Sequence, residues 1–193
     1  ETPKQFQSLA GQRVIDHTIN AFTRRASIIA PIVVVAHPDW HEGLLADHPR
    51  IICVAGGNTR TLSVFEGLKA VKPYTPDYVL IHDGARPLVS STVIEGVIDG
   101  LRRSPAAAPT LPIVDAVKFT SKGHMQGDAD RDALRRVQTP QGFHFGPIFA
   151  AFETLPKDAI SDVGIGGYVG STLLGLPLGS MTTGFGLAIL ADQ

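Results

Sequence analysis

The run Ile32-Val33-Val34-Val35-Ala36 is the feature that most limits the fold of this chain. It is continuously apolar and rich in β-branched residues, a pattern typical of a strand that is buried on both faces. Strands of that kind belong to parallel sheets whose two faces are covered by helices. The run therefore predicts an α/β fold.

Further apolar strands alternate with segments of helical periodicity. We predict strands at residues 51–54 and 78–82, and a strand over 106–114 that is broken by Pro109 and Pro112. The predicted helices are residues 13–23, residues 60–69 with Leu62, Phe65 and Leu68 facing inward, a short helix after His41, a helix capped by Ser90 or Ser91, and a helix after Pro147. This alternation predicts a doubly wound, mostly parallel sheet.

Length, charge and cysteine content limit the number of domains, the partners and the cellular location that we expect. A chain of 193 residues suits one domain with a hydrophobic core, and a net charge of −1 makes nucleic acid a poor partner. The single cysteine, Cys53, has no partner for an internal disulfide and is interpreted as core packing. We expect a cytoplasmic protein, in a bacterial cytosol or a plastid stroma, since its start does not resemble a signal peptide.

A polar cluster follows the predicted strand at 78–82. Residues 81–87 read Ile-His-Asp-Gly-Ala-Arg-Pro, and ligands of open α/β sheets bind at the carboxyl ends of strands. Asp83 is suited to a metal ion and Arg86 to a phosphate, while Gly84 allows a ligand close to the backbone. A purely structural Asp83–Arg86 pair is the alternative.

Three more motifs occur with this one: Thr-Pro-Lys-Gln-Phe at residues 2–6, the segment at 56–68 beginning Gly-Gly-Asn-Thr-Arg, and Arg131 followed by Val-Gln-Thr-Pro-Gln-Gly-Phe at 137–143. In this order and spacing, the four motifs resemble the 2-C-methyl-D-erythritol 4-phosphate cytidylyltransferase family over residues 2–162. The resemblance implies a Rossmann-like nucleotidyltransferase fold with a projecting dimerisation arm at about 117–132. It also implies a homodimer that transfers CMP from CTP to methylerythritol phosphate in the non-mevalonate isoprenoid pathway.

The resemblance also implies roles for individual residues. Lys4 and Arg131 are the implied catalytic residues, and Asp83 is the implied Mg²⁺ ligand. The implied CTP-binding residues are Gly57, Asn58, Ser63 and Asp83. The implied acceptor-binding residues are Arg86, Arg131, Thr139 and Ser161. Arg60 is interpreted as a support for the loop that precedes it.

The sequence departs from the family pattern in three places. The N-terminal strand and Gly-rich loop of the family do not precede Glu1, and Ala116 stands where many relatives have threonine. Residues 163–193 are Gly-rich, lack the family's late lysine strand, and are interrupted too often by glycine and Pro177 for a membrane span. We therefore expect a nucleotidyltransferase domain at 1–162 followed by a segment of open assignment.

Several alternatives remain open on these grounds. The chain could act on another polyol phosphate such as ribitol 5-phosphate, belong to a bifunctional enzyme with a cyclodiphosphate synthase domain, or be a non-catalytic nucleotide-binding module. On residue types alone, residues 118–132 are predicted as a surface loop rather than an arm. His37 and His41 have zinc-protease spacing, but Pro38 disrupts the required helix, and we predict no metal site there.

Overall fold

The computed structural model describes residues 2–25, 28 and 31–154, together with the backbone of the strand Leu187–Ala191. The helices in chain order are α1 (Val14–Thr23), α2 (His41–Asp47), α3 (Arg60–Val71), α4 (Ser91–Gly100) and α5 (Phe145–Thr154). The strands in chain order are β1 (Ser8–Leu9), β2 (Gln12–Arg13), β3 (Ile32–Ala36), β4 (Ile51–Ala55), β5 (Tyr78–Asp83), β6 (Ala106–Ala107), β7 (Thr110–Pro112), β8 (Lys118–Ser121), β9 (His124–Asp128), β10 (Arg135–Val137), β11 (Gln141–His144) and β12 (Leu187–Ala191). Short 3₁₀ turns cover Lys4–Phe6, Pro38–Trp40, Lys72–Tyr74 and Arg131–Ala133.

The main sheet of the described residues has six strands in the order β4-β3-β12-β5-β11-β6. The first four of these run parallel, and β11 runs antiparallel to both of its neighbours. The carboxyl ends of the four parallel strands therefore lie at one edge of the sheet. Ala36, Ala55 and Asp83 are the last residues of β3, β4 and β5 at this edge. This edge is where ligands bind in sheets of this kind.

Helices cover both faces of the sheet. Alternate residues of β3 enter different cores: Val33 and Val35 pack with α3 and α5, whereas Val34 packs with α1 and α4. Each of these valines is at most 1% exposed. Burial of both faces explains why β3 is apolar at every position, and the doubly wound α/β prediction is confirmed.

Most predicted elements are found within two residues of their predicted bounds. Ser90 caps α4 by accepting a hydrogen bond from the Val93 amide at 3.3 Å. The predicted inward face of α3 is only partly right, because Leu68 is fully buried whereas Leu62 and Phe65 are half-buried. Val64 and Val71 complete the buried side of that helix.

The prediction of a surface loop at 118–132 is wrong. Strands β8 and β9 pair as an antiparallel hairpin, and Lys122 and Gly123 form its turn with φ of 49° and 80°. Every residue of both strands is exposed, including Phe119 and Met125. A hairpin with no buried face lacks the alternation of apolar and polar residues from which strands are predicted.

Strand β12 lies in the centre of the sheet, between β3 and β5. Its register pairs Ile189 with Val33 and Ile81, and Ala191 with Val35 and Asp83. Part of the Gly-rich 163–193 segment thus packs into the same sheet as the motif at 81–87.

No helix in the described part of the chain is both long and apolar enough to cross a membrane.

Candidate active site

The carboxylate of Asp83, at the carboxyl end of β5, lies between two arginines. Arg60 Nη2 is 2.6 Å from Asp83 Oδ1, and Arg86 Nε donates to Asp83 Oδ2 at 2.7 Å. The side chains of Asp83 and Arg60 are 20% and 25% exposed, so both border solvent. Two guanidinium groups around one carboxylate leave this edge of the sheet with a net positive charge, which suits an anionic ligand.

Arg86 is oriented by contacts on both sides. Its backbone amide closes a turn onto the Asp83 carbonyl oxygen at 3.0 Å, and its Nη1 donates to Gln138 Oε1 at 2.8 Å. Thr139, which is buried, accepts a long hydrogen bond of 3.4 Å from the Asp83 amide through its Oγ1. The motifs at 81–87 and 137–143 therefore meet, as their implied roles require.

The loop at residues 56–58 lies between β4 and α3. Ser63, 5% exposed, accepts a hydrogen bond from the Gly57 amide at 3.1 Å and donates one to the Gly57 carbonyl oxygen at 3.3 Å. Thr59 caps α3 by accepting from the Leu62 amide at 3.2 Å. The Ser63 hydroxyl thus shapes the loop, while Gly57 and Asn58 are exposed at its surface.

Gly57 has no room for a side chain. A Cβ atom there would stand 2.3 Å from the Cβ of Leu62 and 3.2 Å from its carbonyl carbon. The glycine is therefore required by the close approach of the loop to the first turn of α3.

Two side chains hold the turn after Asp83 from the interior. Thr18 of α1 donates to the Gly84 carbonyl oxygen at 2.9 Å, and His82 Nε2 lies 3.1 Å from the Arg86 carbonyl oxygen. His82 is completely buried, and that burial lowers its pKa to about 4, assisted by the charges of Arg86 and Arg60. The imidazole is therefore neutral at pH 7, and its Nε2 donates to the Arg86 carbonyl oxygen.

Lys4 is exposed and starts the 3₁₀ turn Lys4–Phe6. The ring of Phe6 is 5% exposed and stacks on Trp40, with centroids 4.1 Å apart and planes at 6°. The segment that follows is tied to α1, because the Val14 amide donates to the Gln7 carbonyl oxygen at 3.0 Å. Lys4 thus lies on an anchored turn next to α1, the helix that also contacts the turn after Asp83.

Charged side chains fasten the start of α1. Arg13 donates to both carboxylate oxygens of Asp16, at 2.9 and 2.8 Å, and to Asp47 at 2.6 Å. Burial acts to raise the pKa of Asp16, but hydrogen bonds from Arg13 and His48 outweigh it and lower that pKa overall. This network fixes β2 and the start of α1 to the end of α2.

Arg131 is exposed at the base of the hairpin. Its Nη1 donates to the Val114 carbonyl oxygen at 3.2 Å, so this contact ties Arg131 to the segment that precedes the arm. Asp115 and Ala116, on the adjoining segment, are also exposed. Ser161 lies outside the described residues.

Asp83 is the carboxylate implied as a metal ligand, and its surroundings limit the kind of metal site that it can form. Among the residues that the structure describes, no group of three or more His, Cys, Asp or Glu side chains is placed to hold a metal ion together. A single carboxylate such as Asp83 is enough for a Mg²⁺ ion whose other ligands are substrate phosphates and water. His37 and His41 form no such group; His41 Nε2 is instead 2.9 Å from the Ala36 carbonyl oxygen.

Four residues of this site were not predicted from the sequence. Gln138 orients Arg86, His82 and Thr18 support the turn after Asp83, and Trp40 stacks on Phe6. Gln138 and His82 lie inside the recognised motifs, and this position was a signal for them. Thr18 and Trp40 had no such signal, because their partners Gly84 and Phe6 are distant in sequence.

A doubly wound sheet with a carboxylate, arginines and glycine-rich turns at its carboxyl edge defines an α/β nucleotidyltransferase domain. Residues 1–164 match the family model described as IspD, 2-C-methyl-D-erythritol 4-phosphate cytidylyltransferase. The chain belongs to this family.

Similar proteins agree with that assignment. The chain is 44% identical over 162 residues to a bifunctional IspD/IspF enzyme of Ruegeria sp. (strain TM1040), covering 83% of this chain and 42% of the relative. It is 41% identical to a 2-C-methyl-D-erythritol 4-phosphate cytidylyltransferase of Roseobacter denitrificans, covering 91% of this chain and 79% of the relative. The chain thus spans less than half the length of the bifunctional relatives that it matches.

A solved structure extends the similarity to the fold. The crystal structure of the cytidylyltransferase from Thermus thermophilus superposes with a TM-score of 0.73 at 28% identity, covering 98% of this chain and 84% of that chain. The bifunctional IspDF of Campylobacter jejuni has a TM-score of 0.71 at 17% identity, covering 98% of this chain and 44% of that chain, and indicates the fold alone.

Proposed function

We propose that this chain transfers CMP from CTP to 2-C-methyl-D-erythritol 4-phosphate. An oxygen of the acceptor's phosphate forms a bond to the α-phosphorus of CTP while the bond from that phosphorus to the α–β bridging oxygen breaks. The electron pair leaves with pyrophosphate. The observation that carries the proposal is the Arg60–Asp83–Arg86 cluster at the sheet edge of a chain that belongs to the cytidylyltransferase family.

The protein contributes alignment and fixed positive charge, because phosphoryl transfer requires little covalent chemistry from the enzyme. Lys4 is proposed to stabilise the charge that develops on the non-bridging oxygens of the α-phosphate. Its exposed ammonium on an anchored turn supports this role. Arg86 is proposed to contact the acceptor, beside Thr139.

The cytidine is proposed to bind at the loop of residues 56–58. Gly57 and Asn58 are exposed there, and the absence of a Cβ at Gly57 lets the loop pack directly against Leu62 in the first turn of α3. Ser63 acts through its two hydrogen bonds to the Gly57 backbone and thereby sets the loop geometry. Its proposed role in CTP binding is therefore indirect in this conformation.

Mg²⁺ is the proposed cofactor, with Asp83 as its protein ligand. When bound, it would neutralise charge on the triphosphate and so favour departure of pyrophosphate. Arg60 and Arg86 hold the Asp83 carboxylate at the edge where the triphosphate is proposed to lie.

A homodimer is proposed from the exposed arm. Phe119 and Met125 of the hairpin are 63% and 77% exposed, and Val114 beside it is 69% exposed. Exposed apolar side chains on a projecting element are typical of an interface. In such a dimer Arg131 and Ser161 are proposed to bind the acceptor, with Arg131 reaching the site of the other subunit.

We further propose that residues 1–162, joined in the main sheet by β12 (Leu187–Ala191), form the nucleotidyltransferase domain, and that the protein is cytoplasmic. A bifunctional enzyme is the second candidate, favoured by the 42% coverage of the IspD/IspF relative from Ruegeria. The complete gene and the intact mass of the purified protein distinguish the two.

Pyrophosphate release tests the reaction. Full-length protein is incubated with CTP and Mg²⁺, with methylerythritol 4-phosphate, with ribitol 5-phosphate, or with no acceptor. Release only with methylerythritol 4-phosphate is the expected result. Release only with ribitol 5-phosphate would instead support the acceptor alternative suggested by Ala116. No release with either acceptor, although CTP binds, would identify a non-catalytic nucleotide-binding module.

A further inference from the structure

Both carboxylate oxygens of Asp83 are engaged by guanidinium groups in this structure. Arg60 contacts Oδ1 at 2.6 Å and Arg86 contacts Oδ2 at 2.7 Å. Charge-assisted contacts of this length are the strong kind, and the side chain of Asp83 is only 20% exposed. The positive charges of Arg60 and Arg86 therefore repel a divalent cation from Asp83, and their contacts occupy both carboxylate oxygens.

The described side chains around Asp83 provide few further ligands for such a cation. Within the described residues, no cluster of three metal-binding side chains includes Asp83. Mg²⁺ accepts one carboxylate when substrate phosphates and water complete its coordination. The triphosphate of CTP provides those oxygens, and it also provides negative charge to which a displaced guanidinium can move.

The two arginines are not equivalent. Arg86 is fixed by its own backbone turn to Asp83 and by Gln138, on the acceptor side of the site. Arg60 is the first residue of α3, and only the capping residue Thr59 separates it from the loop at residues 56–58. Its contact with Asp83 therefore links the proposed cytidine loop to the proposed metal ligand.

We propose that Arg60 is a positioning residue that holds Asp83 Oδ1 and yields this oxygen to the cation that arrives with CTP. The guanidinium then turns to the phosphates of the nucleotide. The inference rests on the proposed function, since it takes CTP as the substrate. It makes metal binding conditional on the nucleotide, so the two ligands enter the site together.

Binding of Mn²⁺ measured by electron paramagnetic resonance tests the inference without any turnover. For the full-length wild type in the absence of nucleotide, we expect only weak Mn²⁺ binding. Once CTP is added, we expect more bound Mn²⁺ than the same mixture of Mn²⁺ and CTP shows without protein. For Arg60→Met without nucleotide, we expect Mn²⁺ affinity to rise by about tenfold, because one positive charge next to Asp83 is removed. Arg60→Lys retains the charge and should bind Mn²⁺ as weakly as the wild type.

Two further variants make the result specific. Adding Asp83→Asn to Arg60→Met should abolish the gain, because the carboxylate is lost. Arg102→Met is the matched control. It removes the exposed ion pair of 2.9 Å between Arg102 and Asp99 at the end of α4, and we expect no gain in Mn²⁺ affinity from it. If Arg60→Met proves unfolded by circular dichroism, Arg60→Gln keeps an amide donor for Asp83 and should show the same gain.

An unchanged Mn²⁺ affinity in folded Arg60→Met and Arg60→Gln would overturn the inference. So would an equal gain in Arg102→Met, since that would be a general effect of freeing any carboxylate. Failure of the proposed function is seen separately, as wild-type protein that releases no pyrophosphate. In that case, a gain that is specific to Arg60 and Asp83 still supports the metal-positioning role.

Discussion

His82 Nε2 donates to the carbonyl oxygen of Arg86 at 3.1 Å, so a fully buried imidazole supports the turn that presents Asp83 and Arg86. His82 also contacts the ring of Phe22 in α1, with centroids 5.0 Å apart. The site's geometry is therefore connected to the core of the sheet through a side chain that has to stay neutral.

This burial predicts a stability loss in mild acid. The pKa of His82 is lowered to about 4 in the folded protein, from 6.5 for an unperturbed histidine. The unfolded chain binds a proton at a higher pH than the folded one, so the free energy of unfolding falls as pH drops from about 6.5 to about 4. This single group contributes at most about 3 kcal/mol to that fall.

Chemical denaturation across this pH range measures the effect, with His82→Gln for comparison. The variant should show a shallower pH dependence than the wild type, whatever its stability at pH 7. His124→Gln, in the exposed hairpin, is the control and should keep the wild-type slope. Equal slopes for wild type and His82→Gln would refute the assignment.

Lys4→Ala tests the proposed catalytic charge. Because the contact of Lys4 should strengthen in the transition state, we expect kcat to fall by about 100-fold or more, while CTP affinity changes by less than about threefold. Steady-state kinetics and CTP titration separate the two quantities. Lys69→Ala, at the far end of α3, should leave both near wild type. Lost CTP affinity with preserved turnover of bound substrate would assign Lys4 to ground-state binding instead.

Arg131→Ala should raise the KM for the acceptor, and subunit mixing tests whether Arg131 serves the partner's site. Arg131→Ala and Lys4→Ala proteins are mixed, dissociated and reassociated. If Arg131 acts across the dimer, one site of each mixed dimer is intact, and activity recovers to about a quarter of the wild-type value. Action within the same subunit leaves every site defective and predicts no recovery. Unchanged acceptor kinetics in Arg131→Ala alone would remove this residue from the site.

Gly57→Ala should disturb the proposed cytidine loop. The new methyl group would stand 2.3 Å from the Cβ of Leu62, and relief of that overlap requires the loop to move. We expect a loss of about 1–3 kcal/mol in the free energy of unfolding, together with weaker CTP binding. Denaturant unfolding and CTP titration measure both effects.

Gly96→Ala provides the opposite case. Gly96 lies within α4, and a Cβ there meets no atom within 4 Å. Because alanine favours the helix over glycine, we expect a gain of up to about 1 kcal/mol with unchanged CTP binding. A Gly57→Ala protein that behaves like Gly96→Ala would show that the loop has room after all.

Sequence by itself determined the elements whose signal is local. The continuously apolar run at residues 32–36 predicted β3 as a strand buried on both faces. Ser90 indicated the start of α4, and the apolar run before Asp83 predicted that this carboxylate lies at the end of β5. Periodicity and helix capping depend on residues that are close together in the chain, so they can be recognised in the local sequence. The family motifs added the proposed roles of Lys4 and Thr139.

Tertiary structure alone decided how distant residues combine. It directed the Ser63 hydroxyl to the Gly57 backbone, joined Arg60 to Asp83, stacked Trp40 on Phe6, and placed β12 between β3 and β5. It also paired β8 with β9 in a hairpin that buries neither face. Contacts of this kind depend on how whole elements pack, and the spacing of residues along one segment does not encode the partner that a side chain meets across the sheet.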